Sequence, residues 1–357
     1  MKLLTCCIFV LLVYSPCSSP LQLSEEVAME NQTTPTEFIL SGFSKLRGSR
    51  FLLLGVISII YIFTLLGNML ILLLSLVDPC LRTPMYLFLR NLSLLDIFQT
   101  TTTIPQMLQH LLSGRSSISY GSCMAQLYFF LLFVGAEGIL LATMAYDRYV
   151  AICNPLLYTV LMSTKLCSTL VAASWLTGSF NAAVHTVLTI RLSFCGVNRL
   201  RYFYCDIPPL LALSCGDVSL NVIVTVVSSL FLGWGPSLCI ILSYVHIVFR
   251  ILKMQSSQGR RKAFSTCASH LTVVLLYYGS CIVTYIRPIS SYSLDKDRLI
   301  SLLYSLVTPM LNPIIYTLRN KDVKEALSKL IRRLGIFEMT TGILCPFWED
   351  EAVTEAK

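Results

Sequence analysis

The sequence predicts an all-α membrane protein: a bundle of seven transmembrane helices followed by a short amphipathic helix on the cytoplasmic side. Two observations indicate this fold class. The 357 residues are 55% hydrophobic and only 13% charged, with a mean hydropathy of +0.71, whereas about a quarter of the residues in a soluble domain are charged. The charged residues also fall in clusters, and the gaps between clusters are long enough to cross a hydrocarbon core, which takes about 20 helical residues.

Seven apolar segments follow one another along the chain. Five of them contain no Asp, Glu, Lys or Arg, and two have an acid in the interior of the run, Asp96 in the second and Glu137 in the third. Continuous apolar runs of this length exclude the alternating pattern of β-barrel strands. The predicted spans are residues 51–75, 86–107, 119–149, 166–190, 220–249, 263–286 and 299–318.

The basic residues of the short loops orient this bundle. The loop between the fifth and sixth spans holds five basic residues and no acid: Arg250, Lys253, Arg260, Arg261 and Lys262. Loops of this kind face the cytoplasm, so we predict a multi-pass plasma-membrane protein with residues 29–50 as an extracellular tail and residues 319–357 as a cytoplasmic helix and tail. The net charge of +8 reflects this bias and suits contact with anionic membrane lipid, and it gives no reason to invoke nucleic acid.

The first 28 residues allow two interpretations. A lysine, an apolar core of about 12 residues and then small residues are typical of a signal peptide, and such a core is too short to span a membrane. Alternatively, Met29 is the usual start and the segment is an N-terminal extension. Asn31 begins an Asn-Gln-Thr sequon in the extracellular tail and is predicted to be glycosylated, whereas the sequon at Asn91 lies at a cytoplasmic edge.

Four of the fourteen cysteines fall on the predicted extracellular side. They lie at the start of the third span and in the long loop between the fourth and fifth spans: Cys123, Cys195, Cys205 and Cys215. The oxidising exterior favours disulfides, and four cysteines allow three connectivities. The residues alone leave the choice among the three open.

The two acids within spans are candidates for a functional site, because an ionised carboxylate is costly to bury. Asp96 and Glu137 could share a proton or hold a sodium ion with nearby Ser or Asn groups; the alternative is a protonated carboxyl hydrogen-bonded within the bundle. No other cofactor is indicated. The four histidines are far apart, and the HExxH, GxSxG and GxxxxGK motifs are absent, so the sequence does not predict an enzyme.

Several longer motifs identify a family. They are LRTPMYLFLRNLSLLD at residues 81–96, MAYDRYVAICNPLLY at 144–158, RRKAFSTCASHL at 260–271 and PMLNPIIYTLRN at 309–320. With these motifs the chain resembles a vertebrate olfactory receptor of the rhodopsin-like seven-helix superfamily, over roughly residues 31–330. Two departures are Arg82, where the family usually has His, and Tyr277, where it usually has Phe.

The resemblance implies a receptor that binds small, mostly apolar volatile molecules within the helix bundle. Binding would activate a stimulatory olfactory-type heterotrimeric G protein and raise cyclic AMP. The alternative is a rhodopsin-like receptor for another small endogenous ligand, expressed outside the nose. Receptors for cationic amines usually place an Asp where this chain has Phe130, and the inverted repeats or charge rings of a transporter or channel are not evident.

The resemblance also implies a switch on the cytoplasmic side, in which Asp147 holds Arg148 at rest and outward movement of the sixth helix frees it. The purely structural alternative is an arginine that snorkels at a membrane edge, and Tyr316 could likewise be a lipid-interface aromatic. The residues assigned to the switch are Asp147, Arg148, Tyr149, Tyr244, Asn312, Pro313 and Tyr316. For the cysteines, the family pattern implies that Cys123 pairs with Cys205 and Cys195 with Cys215, which would fix the loop as a lid.

The ligand pocket is predicted from helical periodicity inward from Cys123 and along the sixth helix, with additions from helices five and seven. Such a cavity is mostly apolar with a few hydroxyl groups, as suits a small volatile molecule. The predicted ligand-binding residues are Phe130, Leu131, Val134, Gly135, Ser228, Ser229, Tyr278, Cys281, Ile282, Tyr285, Leu302 and Ser305.

Overall fold

The computed structural model describes residues 35–43, 48–114, 117–195, 198–285, 300–318 and 321–333. These residues form a helical bundle, and the predicted all-α class is confirmed. The long helices are α1 (Arg50–Val77), α2 (Pro84–Ser113), α3 (Tyr120–Cys153), α4 (Thr164–Ile190), α5 (Ser219–Leu252), α6 (Ser257–Tyr285) and α7 (residues 300–318), followed by the shorter α8 (Lys321–Arg333). The described residues of the predicted spans fall in α1 to α7, except Ser119, which precedes α3. Residues 1–28, Asn31, Ile286, Leu299 and the tail after residue 333 lie outside the described residues.

The apolar character of these helices matches a membrane protein. Within the described part of the chain, α1, α3 and α5 are each long and apolar enough to cross a membrane alone. Helix α4 also qualifies together with the short segment Pro155–Leu161, from which it bends by 66°. In its most apolar stretch α3 is 72% buried, against 6% for α5, so α3 is the central helix of the bundle and α5 faces outward.

Local sequence signals begin and end several of these helices. Pro84 occupies the first turn of α2, where a missing N–H costs nothing. Ser163 starts α4 by accepting a hydrogen bond from the backbone N–H of Leu166 at 3.4 Å. At the end of α2, Gly114 has a φ of 70°, the left-handed conformation that glycine adopts without strain.

Two of the helices contain a π-helical turn. The turn Ser229–Trp234 interrupts α5, and the turn Leu303–Val307 precedes the regular part of α7. Such turns insert an extra residue and rotate the side chains that follow, and they are frequent at functional sites. Both turns lie at the level of the cavity or the lid described below.

A small sheet that the sequence did not predict lies at the end of the bundle where α1 begins. Strand β1 (Glu37–Leu40) pairs antiparallel with β2 (Ser117–Ser119) and parallel with β3 (Arg199–Leu200). Phe38, fully buried on β1, stacks edge-on against Phe194 with ring centroids 5.3 Å apart. The segment before α1 is therefore anchored to the loop between α2 and α3 and to the loop between α4 and α5.

Helix α8 packs against the loop that follows α1, as the predicted amphipathic helix. Its apolar face buries Val323 and Ala326, and Lys329 lies 3.4 Å from the carboxylate of Asp78 in the loop after α1. An ion pair at the surface contributes little, because water screens the two charges. Burial of the apolar face therefore contributes most of the docking energy.

Candidate functional site

A cavity of about 100 Å³ lies among helices α3, α4, α5 and α6, below the loop between α4 and α5. Predicted residues from three helices meet there: Leu131, Val134 and Gly135 of α3, Ser228 and Ser229 of α5, and Tyr278, Cys281 and Ile282 of α6. No Asp, Glu, Lys or Arg lines the cavity among the described residues. Its wall is mostly apolar, with hydroxyl groups at intervals.

The two adjacent tyrosines of α6 fix that helix to α3. Tyr277 donates a hydrogen bond to the carbonyl of Val134, and Tyr278 donates one to the carbonyl of Gly138 at 2.7 Å. The two rings are buried and stand edge to face, with centroids 5.1 Å apart. Both phenolic protons are thus used within the bundle, so the rings present mainly apolar surface to the cavity.

Helix α4 contributes polar residues that the sequence analysis did not assign to the pocket. Asn181 and His185 lie one turn apart on the face of α4 that lines the cavity. The His185 Nε2 atom is 3.1 Å from the hydroxyl oxygen of Ser228 on α5. The sequence does not indicate whether a single Asn or His in an apolar span faces the lipid or the bundle. Only the packing of the helices shows that these two side chains line the cavity.

Some predicted pocket residues lie outside this cavity. Phe130 is fully buried in an aromatic group with Tyr204 of the lid and Tyr304 of α7, at centroid distances of 4.8 and 6.0 Å. Ser305 is buried and donates to the carbonyl of Ser301 at 2.7 Å, and Leu302 packs against the core. The side chain of Tyr285 lies outside the described residues.

The lid is the loop between α4 and α5, and the structure joins it by the two disulfides that the resemblance implies. Cys123 at the start of α3 bonds to Cys205, and Cys195 bonds to Cys215. The backbone N–H of Cys205 also donates to Gln126 Oε1 at 2.9 Å. The lid is therefore held directly over α3, and Ile207 from its short helix reaches the cavity wall.

A buried chain of hydrogen bonds links the lid to α7. The Tyr204 hydroxyl donates to the Tyr304 hydroxyl at 3.4 Å, and Tyr304 donates to Asp206 Oδ2 at 3.2 Å. All three side chains are fully buried. Burial and the neighbouring Asp206 carboxylate raise the pKa of Tyr204, so this phenol stays protonated at neutral pH.

The two intramembrane acids lie together in the middle of the bundle. Asp96 and Glu137 are both fully buried, and Asn312 donates to both Asp96 oxygens at 3.1 and 3.0 Å. Glu137 lies close enough for its charge and that of Asp96 to repel each other. Three further side-chain atoms, both Glu137 oxygens and the Asn312 Oδ1, hydrogen-bond to none of the described residues.

These oxygen atoms are the donor type that hard cations prefer. The described residues contain no group of three His, Cys, Asp or Glu side chains arranged for a metal, so a cation here would depend on amide oxygens as well as the two carboxylates. Asn68 supplies another buried side-chain oxygen without a described partner, while its nitrogen donates to the carbonyl of Pro309 at 3.2 Å. The donor set fits a monovalent cation or a shared proton.

The Asp-Arg-Tyr triplet lies near the C-terminal end of α3. Asp147 and Arg148 are buried, and Asp147 accepts a hydrogen bond from Tyr158 at 2.8 Å. Burial and the Asp147 charge raise the pKa of Tyr158. Tyr158 is the last residue of the motif MAYDRYVAICNPLLY, but the sequence predicts no role for it. Its contact with Asp147 depends on the segment after α3 folding back against that helix.

Residues from α5, α6 and α7 surround Arg148. The Tyr244 hydroxyl and His270 Nδ1 are 2.7 Å apart and their rings are stacked, which joins α5 to α6. Arg148 lies near enough to Tyr244, His270 and Tyr316 to interact with them electrostatically. Tyr149 is half-buried and meets His246 edge-on at 5.7 Å.

Pro313 is buried where α7 crosses α1. A Cβ atom added to Gly67 would lie 2.9 Å from the Pro313 ring, so the glycine allows the two helices to approach. Tyr316, one turn further on, is buried, and its hydroxyl hydrogen-bonds to none of the described residues. The structure thus brings Asp147, Arg148, Tyr244 and Tyr316 to one end of the bundle, whereas Asn312 bonds to Asp96 in its middle.

Comparison with known proteins agrees with the resemblance drawn from the sequence motifs. The sequence model of the family described as olfactory receptor matches residues 57–333. The chain is 47% identical over 311 residues to human olfactory receptor 5AP2, covering 87% of this chain and 98% of the relative. It is 49% identical over 302 residues to mouse olfactory receptor 5AP2, covering 85% and 95%, and 50% identical over 302 residues to human olfactory receptor 13A1, covering 85% and 92%.

Proposed function

Because the chain belongs to the olfactory receptor family, a family of multi-pass plasma-membrane receptors rather than enzymes, we propose that it binds small volatile molecules in the cavity among α3, α4, α5 and α6 and transmits binding to a G protein. The observation that supports this proposal is the cavity itself. It is lined by apolar side chains and a few polar groups, and no charged side chain lines it among the residues described. Such a site suits a neutral, mostly apolar ligand.

The proposed signal is activation of a stimulatory olfactory-type heterotrimeric G protein, which raises cyclic AMP. The cytoplasmic ends of α3, α5, α6 and α7 converge on Arg148, and the Tyr244–His270 contact bridges α5 and α6. Ligand energy delivered at the cavity wall on α6 can favour a second arrangement of these ends, provided that the ligand binds that arrangement more tightly. The freed Arg148, Tyr244 and Tyr316 would then line the opening for the G protein.

The proposed topology places the N-terminal tail and the lid outside the cell and α8 in the cytoplasm. The basic loop between α5 and α6 supports this orientation. The disulfides of the lid also suit an oxidising exterior. Contact of the basic cytoplasmic face with anionic lipid is part of the same proposal.

For the buried acids we propose a sodium ion or a shared proton between Asp96 and Glu137, with Asn312 as a further ligand. Two carboxylates that repel each other in a buried site are stabilised by a cation or by one proton. Basal cyclic AMP would then depend on external sodium in the wild type and lose that dependence in Asp96→Asn and Glu137→Gln. An unchanged sodium response in both variants would contradict a sodium site, and a response to pH alone would indicate the proton.

The main test is cyclic AMP in cells that display the tagged receptor together with an olfactory-type stimulatory G protein, across a panel of volatile compounds. We expect a dose-dependent rise that Arg148→Ala abolishes while surface display persists. Lys165→Ala is the matched control, because Lys165 is an exposed basic residue at the same side of the bundle. Normal signalling by Arg148→Ala would contradict the switch, and silence of the displayed wild type would contradict the proposed function.

A further inference from the structure

The cavity has a chemical asymmetry that narrows the class of ligand. We propose that it selects compact neutral molecules carrying one hydrogen-bonding oxygen, and that Asn181 with the His185–Ser228 pair recognises that oxygen. This inference rests on the proposed function, because it concerns the ligand of the same cavity. It goes further by naming the ligand chemistry and a recognition site on α4.

The volume limits the size of the ligand. A cavity of about 100 Å³ is somewhat smaller than the engineered apolar cavity of about 150 Å³ that binds benzene. A six-membered ring with one substituent therefore fits only if the wall moves outward or the substituent extends toward the open side of the cavity. Peptides and drug-sized ligands, which need roughly 300 Å³ or more, exceed this volume.

The apolar part of the ligand would meet the α3, α5 and α6 walls. Leu131, Leu232 and Ile282 line these sides, and Ile207 closes the cavity from the lid. The lack of a charged side chain among the described lining residues means that an ammonium or carboxylate group would be buried without an ionic partner, at high cost. The ligand is therefore neutral.

The hydrogen-bonding capacity of the wall is concentrated at α4. The other hydroxyls are engaged within the bundle: Thr225 donates to the carbonyl of Asn221 at 2.7 Å, and Ser229 donates to the carbonyl of Thr225 at 2.8 Å. The Tyr277 and Tyr278 protons are used by carbonyls of α3. By contrast, no described residue hydrogen-bonds to the half-buried Asn181 amide.

The His185–Ser228 pair adds a second group beside this amide. If His185 Nε2 carries the proton, it donates to Ser228, whose hydroxyl proton is then free for a ligand oxygen; in the other tautomer Ser228 donates to the ring. Asn181 can donate or accept in either case. One carbonyl or hydroxyl oxygen can therefore be satisfied at this end of the cavity, while a hydrocarbon leaves the amide unpaired.

The test measures equilibrium binding to the purified full-length receptor in lipid nanodiscs. The probes share one size: cyclohexanol, cyclohexanone, methylcyclohexane and cyclohexylamine, which is cationic at pH 7. In the wild type we expect cyclohexylamine to bind at least about tenfold more weakly than cyclohexanol. The second quantity is the affinity for cyclohexanol or cyclohexanone divided by the affinity for methylcyclohexane. In Asn181→Leu and in Ser228→Ala this ratio should fall about three- to tenfold, which corresponds to the loss of one hydrogen bond.

Ser237→Ala is the matched control, because Ser237 also lies on α5 and donates to a carbonyl one turn back but does not line the cavity. An equal ratio of affinities in Asn181→Leu, Ser228→Ala and this control would overturn the inference, as would the absence of binding by both oxygenated probes to the wild type. Cyclic AMP separates the two proposals. If the probes bind selectively but cyclic AMP does not rise, this inference stands and the proposed signalling is contradicted. If the receptor signals but Asn181→Leu and Ser228→Ala do not change the order of agonist potencies, only this inference is contradicted.

Discussion

The crossing of α3 and α4 gives a prediction whose magnitude follows from the structure. A Cβ atom added to Gly178 would lie 2.5 Å from the carbonyl oxygen of Leu132 and 2.8 Å from the backbone nitrogen of Ala136. Ordinary contacts begin at 3.4 Å, and both atoms belong to the backbone of α3 and cannot rotate away. In Gly178→Ala the two helices must therefore separate by about 0.9 Å at their crossing.

Overpacking of this kind costs about 1 to 3 kcal/mol, and small residues are what allow helices to approach closely in membranes. Gly279→Ala on α6 is the matched control, since nothing lies within 4 Å of its added Cβ. Both variants gain the preference of about 1 kcal/mol for alanine over glycine in a helix. The difference between them therefore measures the packing cost.

The assay is the apparent melting temperature of the purified receptor in detergent, with surface display measured by flow cytometry. We expect Gly178→Ala to melt lower and to reach the surface less than wild type, while Gly279→Ala equals or exceeds wild type. Agonist potency should also fall in Gly178→Ala, because α4 carries Asn181 and His185 away from the cavity. Equal melting of the two variants would refute this account of the crossing.

Three further predictions concern the lid and α8. Cys123→Ser or Cys205→Ser should lose surface display, because the lid is then detached from α3. The control is Cys80→Ser, which changes an exposed free cysteine. Surface display equal to that of this control would contradict the prediction. Tyr304→Phe removes the proton donated to the buried Asp206 carboxylate and should cost about 1 to 3 kcal/mol, seen as a lower apparent melting temperature than in Tyr146→Phe, which changes an exposed ring. The backbone N–H of Cys80 and the neighbouring Lys329 lower the pKa of Asp78. The carboxylate's support of α8 is therefore complete above the ordinary Asp pKa of about 4 and is lost as pH falls through the lowered value. The protection of α8 amides from hydrogen exchange, corrected for the intrinsic pH dependence of exchange, should weaken slightly below that ordinary pKa but not between pH 7 and 5, and Asp78→Asn should remove the change.

The sequence by itself determined the helices and the family. Long apolar runs can satisfy their backbone in lipid only as helices, so the positions of α1 to α7 follow from where charges are absent or, in α2 and α3, few. The motifs around Arg148 and Asn312 identified the family, since they occupy fixed places along these helices. The pairing of Cys123 with Cys205 came from that resemblance, because four cysteines by themselves leave three pairings open.

Only the tertiary structure decided which side chains meet in the cavity. Asn181 and His185 give no directional signal in an apolar span, and they line the cavity because Gly178 lets α4 pack closely against α3. Phe130 was predicted for the pocket, yet it packs under the lid, since Tyr204 descends between α3 and α7 and covers it. The three-stranded sheet likewise joins three short segments that are distant in sequence. Helix formation is a local consequence of composition. The contacts between helices depend instead on how each helix is rotated and how closely two helices approach, and the periodicity of apolar residues does not specify either.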